Sequence, residues 1–295
     1  MVNIKEYHRP QGLADAVALL QRKDTRTVAL GGGTWLMGEG PRDIEAVVDI
    51  VNLGLNKILV EGDMVHIGSG VTHQHLVEND LVGTSGHSPL HIIGQTAEAM
   101  SGMNIRNRAT IAGAIVTADS SSPLVTALLA CDAEVVLAGT KDKSKAASAQ
   151  SPEDFFRVLP LAGFLSYRQQ LLAEGTLMTE VRVPVLMPSP DTRGSYARVA
   201  RTPKDYPIVC AAASLEMEDG IVGRMRVAVG GVAPAPIRLT GLEFGLEHKK
   251  LADWFEVELT AAIQELTPKG DWLGSAEYRK EMAQVLVRRV VNEIR

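Results

Sequence analysis

Hydrophobic and polar positions along the 295 residues follow two rhythms. Leu13, Ala16, Val17 and Leu20 recur at helical spacing, so residues 13–22 read as an amphipathic helix. Short β-rich runs bounded by turn residues follow: TVAL (27–30), AVVDI (46–50), then KILV (57–60) and MVHIG (64–68) around Glu61-Gly62-Asp63, a hairpin. Thr72 is placed to cap a short helix in THQHLVEND. Ser followed by Pro recurs at Ser88-Pro89, Ser122-Pro123 and Ser151-Pro152, and Ser suits a helix cap as Pro suits the first helical position. The first of these helices is expected to run through Met100. AEVVLAG (133–139) and TLMTEVRVP (176–184) read as strands, and GTKDKSKAASAQ (139–150) as a Lys-rich surface turn.

From Met187 to Ser195 the chain turns polar and Pro-rich, which marks a domain junction. Three strands are then expected in succession, YARVAR (196–201), IVCAAASLEM (208–217) and GRMRVAVGGV (223–232), followed by helices over 251–266 and 275–294. The last helix carries Tyr278, Met282, Val285 and Leu286 on one stripe. Strands followed by helices indicate an α+β unit.

Composition removes several function classes. Hydrophobic residues make up 45% and charged residues 22%, the balance of a soluble globular chain. Thirty basic and 35 acidic residues give −5, scattered along the sequence, with no footprint for nucleic acid or an anionic membrane. No run approaches a membrane span, and MVNIKEYHRPQG lacks the apolar core of a signal peptide, so a cytoplasmic location is expected. Cys131 and Cys210 stand far apart in apolar surroundings, without a CxxC pair, and read as buried free thiols. Two cysteines cannot hold a four-thiolate iron–sulfur cluster. His73 and His75 point to different helix faces and read as solvated or capping side chains; His87 and His91 have no carboxylate or cysteine cluster beside them. No metal site is expected, and no Ser/His/Asp or paired-carboxylate arrangement emerges.

Two segments carry chemistry. ALGGGTWLM (29–37) places three glycines after a strand, where a tight turn exposes backbone N–H groups suited to a pyrophosphate. It is not the dinucleotide fingerprint GxGxxG, since Leu36 stands where the last Gly belongs. Read alone, it is equally a plain strand-to-loop turn. NIRNRATIAGAIVTADSSSP (104–123) is rich in small and hydroxyl residues and enters a helix at Pro123. By itself it is a loop before a capped helix; beside the first segment it points to a dinucleotide-like ligand.

Together these segments resemble the FAD-binding medium subunit of molybdenum hydroxylases, the xanthine dehydrogenase and aerobic carbon monoxide dehydrogenase family. Its AGGHSL or GGGTDL loop is matched by Gly31-Gly32-Gly33-Thr34-Trp35-Leu36, and its IRNxxTIGGN loop by residues 105–114. YHRP with ADAVALL (7–20), TLMTEVRVP, RVARTPKDYPIVCAAASL (198–215) and AEYRKEMAQVLVRR also fit, in order, over essentially the whole chain. The resemblance implies an FAD-binding domain of the vanillyl-alcohol-oxidase (PCMH) type over 1–185, with two α+β subdomains at about 1–55 and 56–185. A smaller α+β C-terminal domain, an antiparallel sheet with helices, would occupy 186–295. FAD would lie extended between the two subdomains, its ring toward the C-terminal domain.

It further implies non-covalent FAD, with Gly31, Gly32, Gly33, Thr34 and Trp35 at the pyrophosphate and Thr110, Gly113, Ala114, Asp119 and Ser122 lining the other side. Met100, Met178, Arg198 and Tyr206 complete the implied set, Met178 and Tyr206 near the ring. Ala112 and Ala114 replace a Gly and an Asn of the family loop, Arg198 stands where Lys is frequent, and Trp35 where Ser or Asp is common. The implied role is electron transfer. An iron–sulfur small subunit with [2Fe–2S] clusters and a large subunit with the molybdenum cofactor are the expected partners, in a dimer of heterotrimers. FAD would pass electrons to an external acceptor. The alternatives are a stand-alone FAD-dependent reductase on the same fold and a flavin-free structural subunit.

Overall fold

The computed structural model describes residues 4–84, 90–139, 155–185, 192–202 and 205–295. Its contacts divide the chain into two compact units, each interrupted in sequence: residues 1–73, 103–117 and 133–184, and residues 74–102, 118–132 and 185–295.

The first unit holds two sheets. β1 (Glu6–His8), β2 (Thr27–Leu30) and β3 (Ala46–Asp49) form a parallel sheet in the order β1-β3-β2. Helix α1 (Leu13–Leu20) covers one face, packing Ala16 and Val17 against Val48, Ile50, Ala138 and Leu177. The turn after β2 enters α2 (Leu36–Glu39), whose Leu36 packs with Ile44 and Val47 on the opposite face. A five-stranded antiparallel sheet in the order β4-β5-β8-β6-β7 completes the unit, from β4 (Ile58–Glu61), β5 (Met64–Gly68), β6 (Glu134–Ala138), β7 (Phe156–Pro160) and β8 (Leu177–Pro184). The predicted hairpin is β4–β5.

Short helices punctuate the middle of the chain: α3 (His73–Glu78), α4 (His91–Met100), α5 (Met103–Arg106), α6 (Ile111–Val116), α7 (Pro123–Ala130) and α8 (Leu161–Ala173). The second unit is built on an antiparallel sheet in the order β12-β11-β10-β9, from β9 (Thr192–Val199), β10 (Val209–Glu218), β11 (Ile221–Gly230) and β12 (Ile237–Arg238). Alternation along these strands sorts their side chains. Val209, Ala211, Ala213 and Leu215 join Val227 and Val229 in a core closed by α9 (Thr240–Leu246), α10 (Leu251–Gln264) and α11 (Ala276–Ile294). Cys210 and Ser214 point the other way, to α7, where Ser214 Oγ donates to the Ala130 carbonyl at 2.6 Å. This is the expected α+β arrangement.

Several expectations need correction. Residues 192–195 belong to β9, paired with 213–216 of β10, so the strand begins inside the segment read as a junction. Ser122 occupies the N-cap of α7, but its hydroxyl makes no capping hydrogen bond. The buried face of α11 runs through Arg279, Ala283, Leu286, Val287, Val290 and Val291. Arg279 takes an apolar position there because Ile208 O, Gly231 O and the Asp271 carboxylate accept from the two terminal nitrogens of its guanidinium, Nε alone being left without a partner among the described residues. Ser88-Pro89, His87, Ser151-Pro152 and residues 140–150 lie outside the described residues. No helix among the described residues is long and apolar enough to cross a membrane.

Candidate functional site

In the first unit, β2 delivers the chain into Gly31-Gly32-Gly33. Gly33 takes φ +74°, a left-handed conformation that costs glycine little and other residues more. The turn lies directly on the loop that follows α5. A Cβ on Gly32 would stand 1.6 Å from the Arg108 carbonyl oxygen, and one on Gly31 2.8 Å from Thr110 Oγ1. Arg108 Nε donates to the Gly32 carbonyl at 3.2 Å. The glycine run is therefore needed first for the two loops to touch.

That contact leaves donors available. Among the described residues, none accepts a hydrogen bond from the backbone N–H of Gly32, Gly33 or Thr34. Consecutive unused N–H groups are the donor set that a diphosphate requires. The second loop is locked in place from its other side. His73 N–H donates to Ala109 O, Ile111 N–H to Val71 O, both at 2.9 Å, and Ala112 N–H to Ser69 O at 3.3 Å. Thr110, nearly buried, caps α6 by accepting from Gly113 N–H at 3.1 Å, and Ala114 N–H donates to Thr110 O at 3.0 Å. Trp35 and Met37 leave apolar surface exposed beside the turn. Met178 lies buried in β8 opposite Leu137.

The second unit gathers the remaining expected residues. Ser121 N–H donates to Asp119 Oδ1 at 3.0 Å, and Gly231 N–H to Ser120 O at 2.6 Å, which fixes the chain entering α7 against the end of β11. Arg198 donates to Asp205 O at 3.2 Å and, at the 3.5 Å limit, to Ala99 O next to Met100. Desolvation, then the charge of Asp119, raises the Tyr206 phenol above its ordinary range although 40% of the residue's surface is exposed, while the nearby Ser122 hydroxyl acts in the opposite sense. Among the described residues, Ser122 Oγ and the Tyr196 hydroxyl are buried without a well-aligned hydrogen-bond partner, Ser122 lying beside the Tyr206 phenol and Tyr196 beside the Cys210 thiol. Burial also pushes the Tyr196 phenol upward; the Cys210 thiol beside it is next among the causes.

Expected residues thus fall into two constellations, Gly31 to Trp35 with Thr110, Gly113 and Ala114, and Met100, Asp119, Ser122, Arg198 and Tyr206, while Met178 stands apart in β8. Sequence reasoning left out Arg108, whose carbonyl meets Gly32, and Tyr196, which alternates with Arg198 on one face of β9. It also misjudged His73. That side chain is neither solvated nor capping but only 3% exposed, because its strand-like hydrogen bond to Ala109 draws it under the second loop.

Comparison with known proteins decides the family. The family described as the FAD binding domain in molybdopterin dehydrogenase matches residues 2–186, and that described as the CO dehydrogenase flavoprotein C-terminal domain matches residues 194–294. The chain belongs to this family of FAD-binding oxidoreductase subunits. Among its relatives, the carbon monoxide dehydrogenase medium chain of Afipia carboxidovorans is 30% identical over 97% of this chain and 95% of its own length. The glyceraldehyde dehydrogenase medium chain of Sulfolobus acidocaldarius is 26% identical over 98% and 97%. The structure of carbon monoxide dehydrogenase from Hydrogenophaga pseudoflava, in the form lacking the Mo-pyranopterin moiety, matches with a TM-score of 0.84 at 28% identity, covering 99% of this chain and 97% of that one. The first loop suits a diphosphate on its own chemistry, through the backbone N–H groups of residues 32–34 that no described residue uses.

Proposed function

We propose that this chain is the flavoprotein subunit of a multi-subunit molybdenum hydroxylase or dehydrogenase, with the FAD-binding domain at 1–185 and the C-terminal domain at 186–295. The observation that carries the reading is the close packing of Gly31 and Gly32 on Arg108 and Thr110, which leaves successive backbone donors unused. When bound, FAD would take electrons from [2Fe–2S] clusters on a small partner subunit and pass them to an external acceptor. Substrate would react at a molybdenum cofactor on a large partner subunit, the complex being a dimer of heterotrimers in the cytoplasm.

Residues of this chain would bind and orient. Gly32, Gly33, Thr34 and Trp35 would hold the diphosphate, with Thr110, Gly113 and Ala114 shaping the opposite wall. Met100, Asp119, Ser122, Met178, Arg198 and Tyr206 would surround the remainder. Relatives named for glyceraldehyde and for carbon monoxide align end to end with this chain, which agrees with substrate choice residing on another subunit. The first loop contains no His or Cys, so the cofactor would be held without a covalent link.

The test has two arms. Acid precipitation of the purified protein should release the yellow chromophore into the supernatant as FAD; flavin retained on the pellet would contradict non-covalent binding. Co-expressed with an iron–sulfur and a molybdenum subunit, the chain should elute in one complex whose flavin absorbance bleaches on adding substrate, whereas the isolated chain should not respond. Direct reduction of the isolated chain at the full rate would establish a stand-alone reductase.

A further inference from the structure

The stretch joining β5 to α3 holds three buried polar atoms that the cofactor reading leaves unused. Ser69 is fully buried and His73 nearly so; among the described residues the Ser69 hydroxyl has no hydrogen-bond partner, and the His73 ring has only the Thr110 backbone beside it, without good hydrogen-bond geometry. Leaving such groups unpaired in an interior is costly, so their position calls for a cause. It lies in the backbone. The stretch runs antiparallel to the second loop, bridging Thr72 to Thr110 and bonding Ser69 O, Val71 O and His73 N–H to Ala112, Ile111 and Ala109. The loop is thus sandwiched, with Gly31 and Gly32 on one side and the stretch that carries His73 on the other.

Burial comes first among the causes that pull His73 down to about 4; the Thr110 backbone opposes it, and the Arg106 guanidinium adds to it. At neutral pH the ring is uncharged. Among the described residues Arg106 is the charged group that acts on it, Arg108 lies two residues further along the same loop, and His75 and Glu78 are the other titratable groups on its own helix. Among the described residues no carboxylate contributes to the balance, so an imidazolium here would meet the like charge of Arg106.

We propose that His73 is a positioning residue for the cofactor: as neutral imidazole it seats residues 106–110 against Gly31 and Gly32, and as imidazolium it unseats them, so that acid loosens FAD through this buried side chain. The proposal rests on FAD binding at the two loops. Flavin fluorescence of the FAD-loaded chain, followed from pH 8 to pH 3 with circular dichroism at each point, provides the test. Wild type should release flavin before its far-ultraviolet signal is lost, and should rebind it on return to neutral pH. His73→Phe and His73→Gln cannot take up the proton, and whichever folds should move the release midpoint down by about one pH unit. In wild type, FAD binding at pH 5 should also release a fraction of a proton, read by calorimetry in two buffers of different ionisation enthalpy. An unchanged midpoint in a folded variant, or no proton release on binding, would overturn the role of His73 while leaving FAD binding intact. A wild-type chain that takes up no FAD at pH 7.5 would overturn both.

Discussion

Gly32→Ala puts the smallest possible side chain at the point where the two loops meet. The added Cβ would lie 1.6 Å from the Arg108 carbonyl oxygen and 2.3 Å from its carbon. Both are backbone atoms, so no side chain can swing aside. Restoring ordinary van der Waals contact requires the loops to part by more than an ångström, which is about a third of a hydrogen-bond length. The second loop cannot move freely: Ala109 N–H is bonded to Ile105 O at 2.7 Å and Ala109 O to His73 N–H at 2.9 Å, and the loop ends in the Thr110 cap. Losing two of these bonds, at roughly 0.5–1.5 kcal/mol each, and weakening the cap by about 1 kcal/mol sets the cost near 2–4 kcal/mol. If only part of it falls on the cofactor-binding conformation, about 1.4 kcal/mol of lost affinity still weakens binding tenfold. Fluorescence titration of apoprotein with FAD and urea unfolding of the apoprotein give the two quantities. Gly38→Ala is the control, because a Cβ there meets nothing within 4 Å. Full FAD affinity and unaltered unfolding in Gly32→Ala would refute the loop-contact argument.

Two further predictions concern stability. Asp132 sits beyond α7 and accepts from Arg224, Arg226 and Arg238 at 2.7, 3.1 and 2.6 Å, tying that helix end to β11 and β12. Burial works against its charge, but the three guanidinium groups prevail and hold the carboxyl below its ordinary value. A depressed carboxyl adds stability above its unfolded pKa and loses it as pH falls through the carboxylate range. Asp132→Asn should therefore cost about 1–2 kcal/mol at pH 7, discounted for partial exposure, with the gap to wild type narrowing toward pH 3 in urea titrations; a gap independent of pH would contradict the pairing. Burial pushes the Cys131 thiol up to about 12 and the Cys210 thiol up to about 11. An aromatic disulfide reagent should label neither in the folded chain and both in guanidinium, and stoichiometric labelling of folded protein would show that these sites open.

What the sequence made legible follows the range of the interactions. β5, β8 and β11 carry enough alternation to be read directly, β10 is an apolar run buried over its first seven residues, and α10 and α11 carry enough periodicity. β1, β7 and β12 do not: the first and last have only three and two residues, and β7 is an edge strand with no fully buried position. Helix α8 hides because its buried residues are just Leu161, Phe164 and Leu171, with Ser166 to Gln170 interrupting the stripe. The site divides in the same way. Gly33 follows a local rule, since its positive φ belongs to the turn itself. Gly32 does not, because the atom that forbids its side chain comes from Arg108, a residue 76 positions away. His73 is a sharper case: His-Gln-His reads as a solvated helix start, and only the pairing with Ala109 puts the ring inside. A run of glycines announces that two backbones meet, but not which two. Here the partner is the protein's own second loop, so the donors proposed for the cofactor depend on loop packing, and the proposed role of His73 acts through that packing rather than through a contact with the ligand.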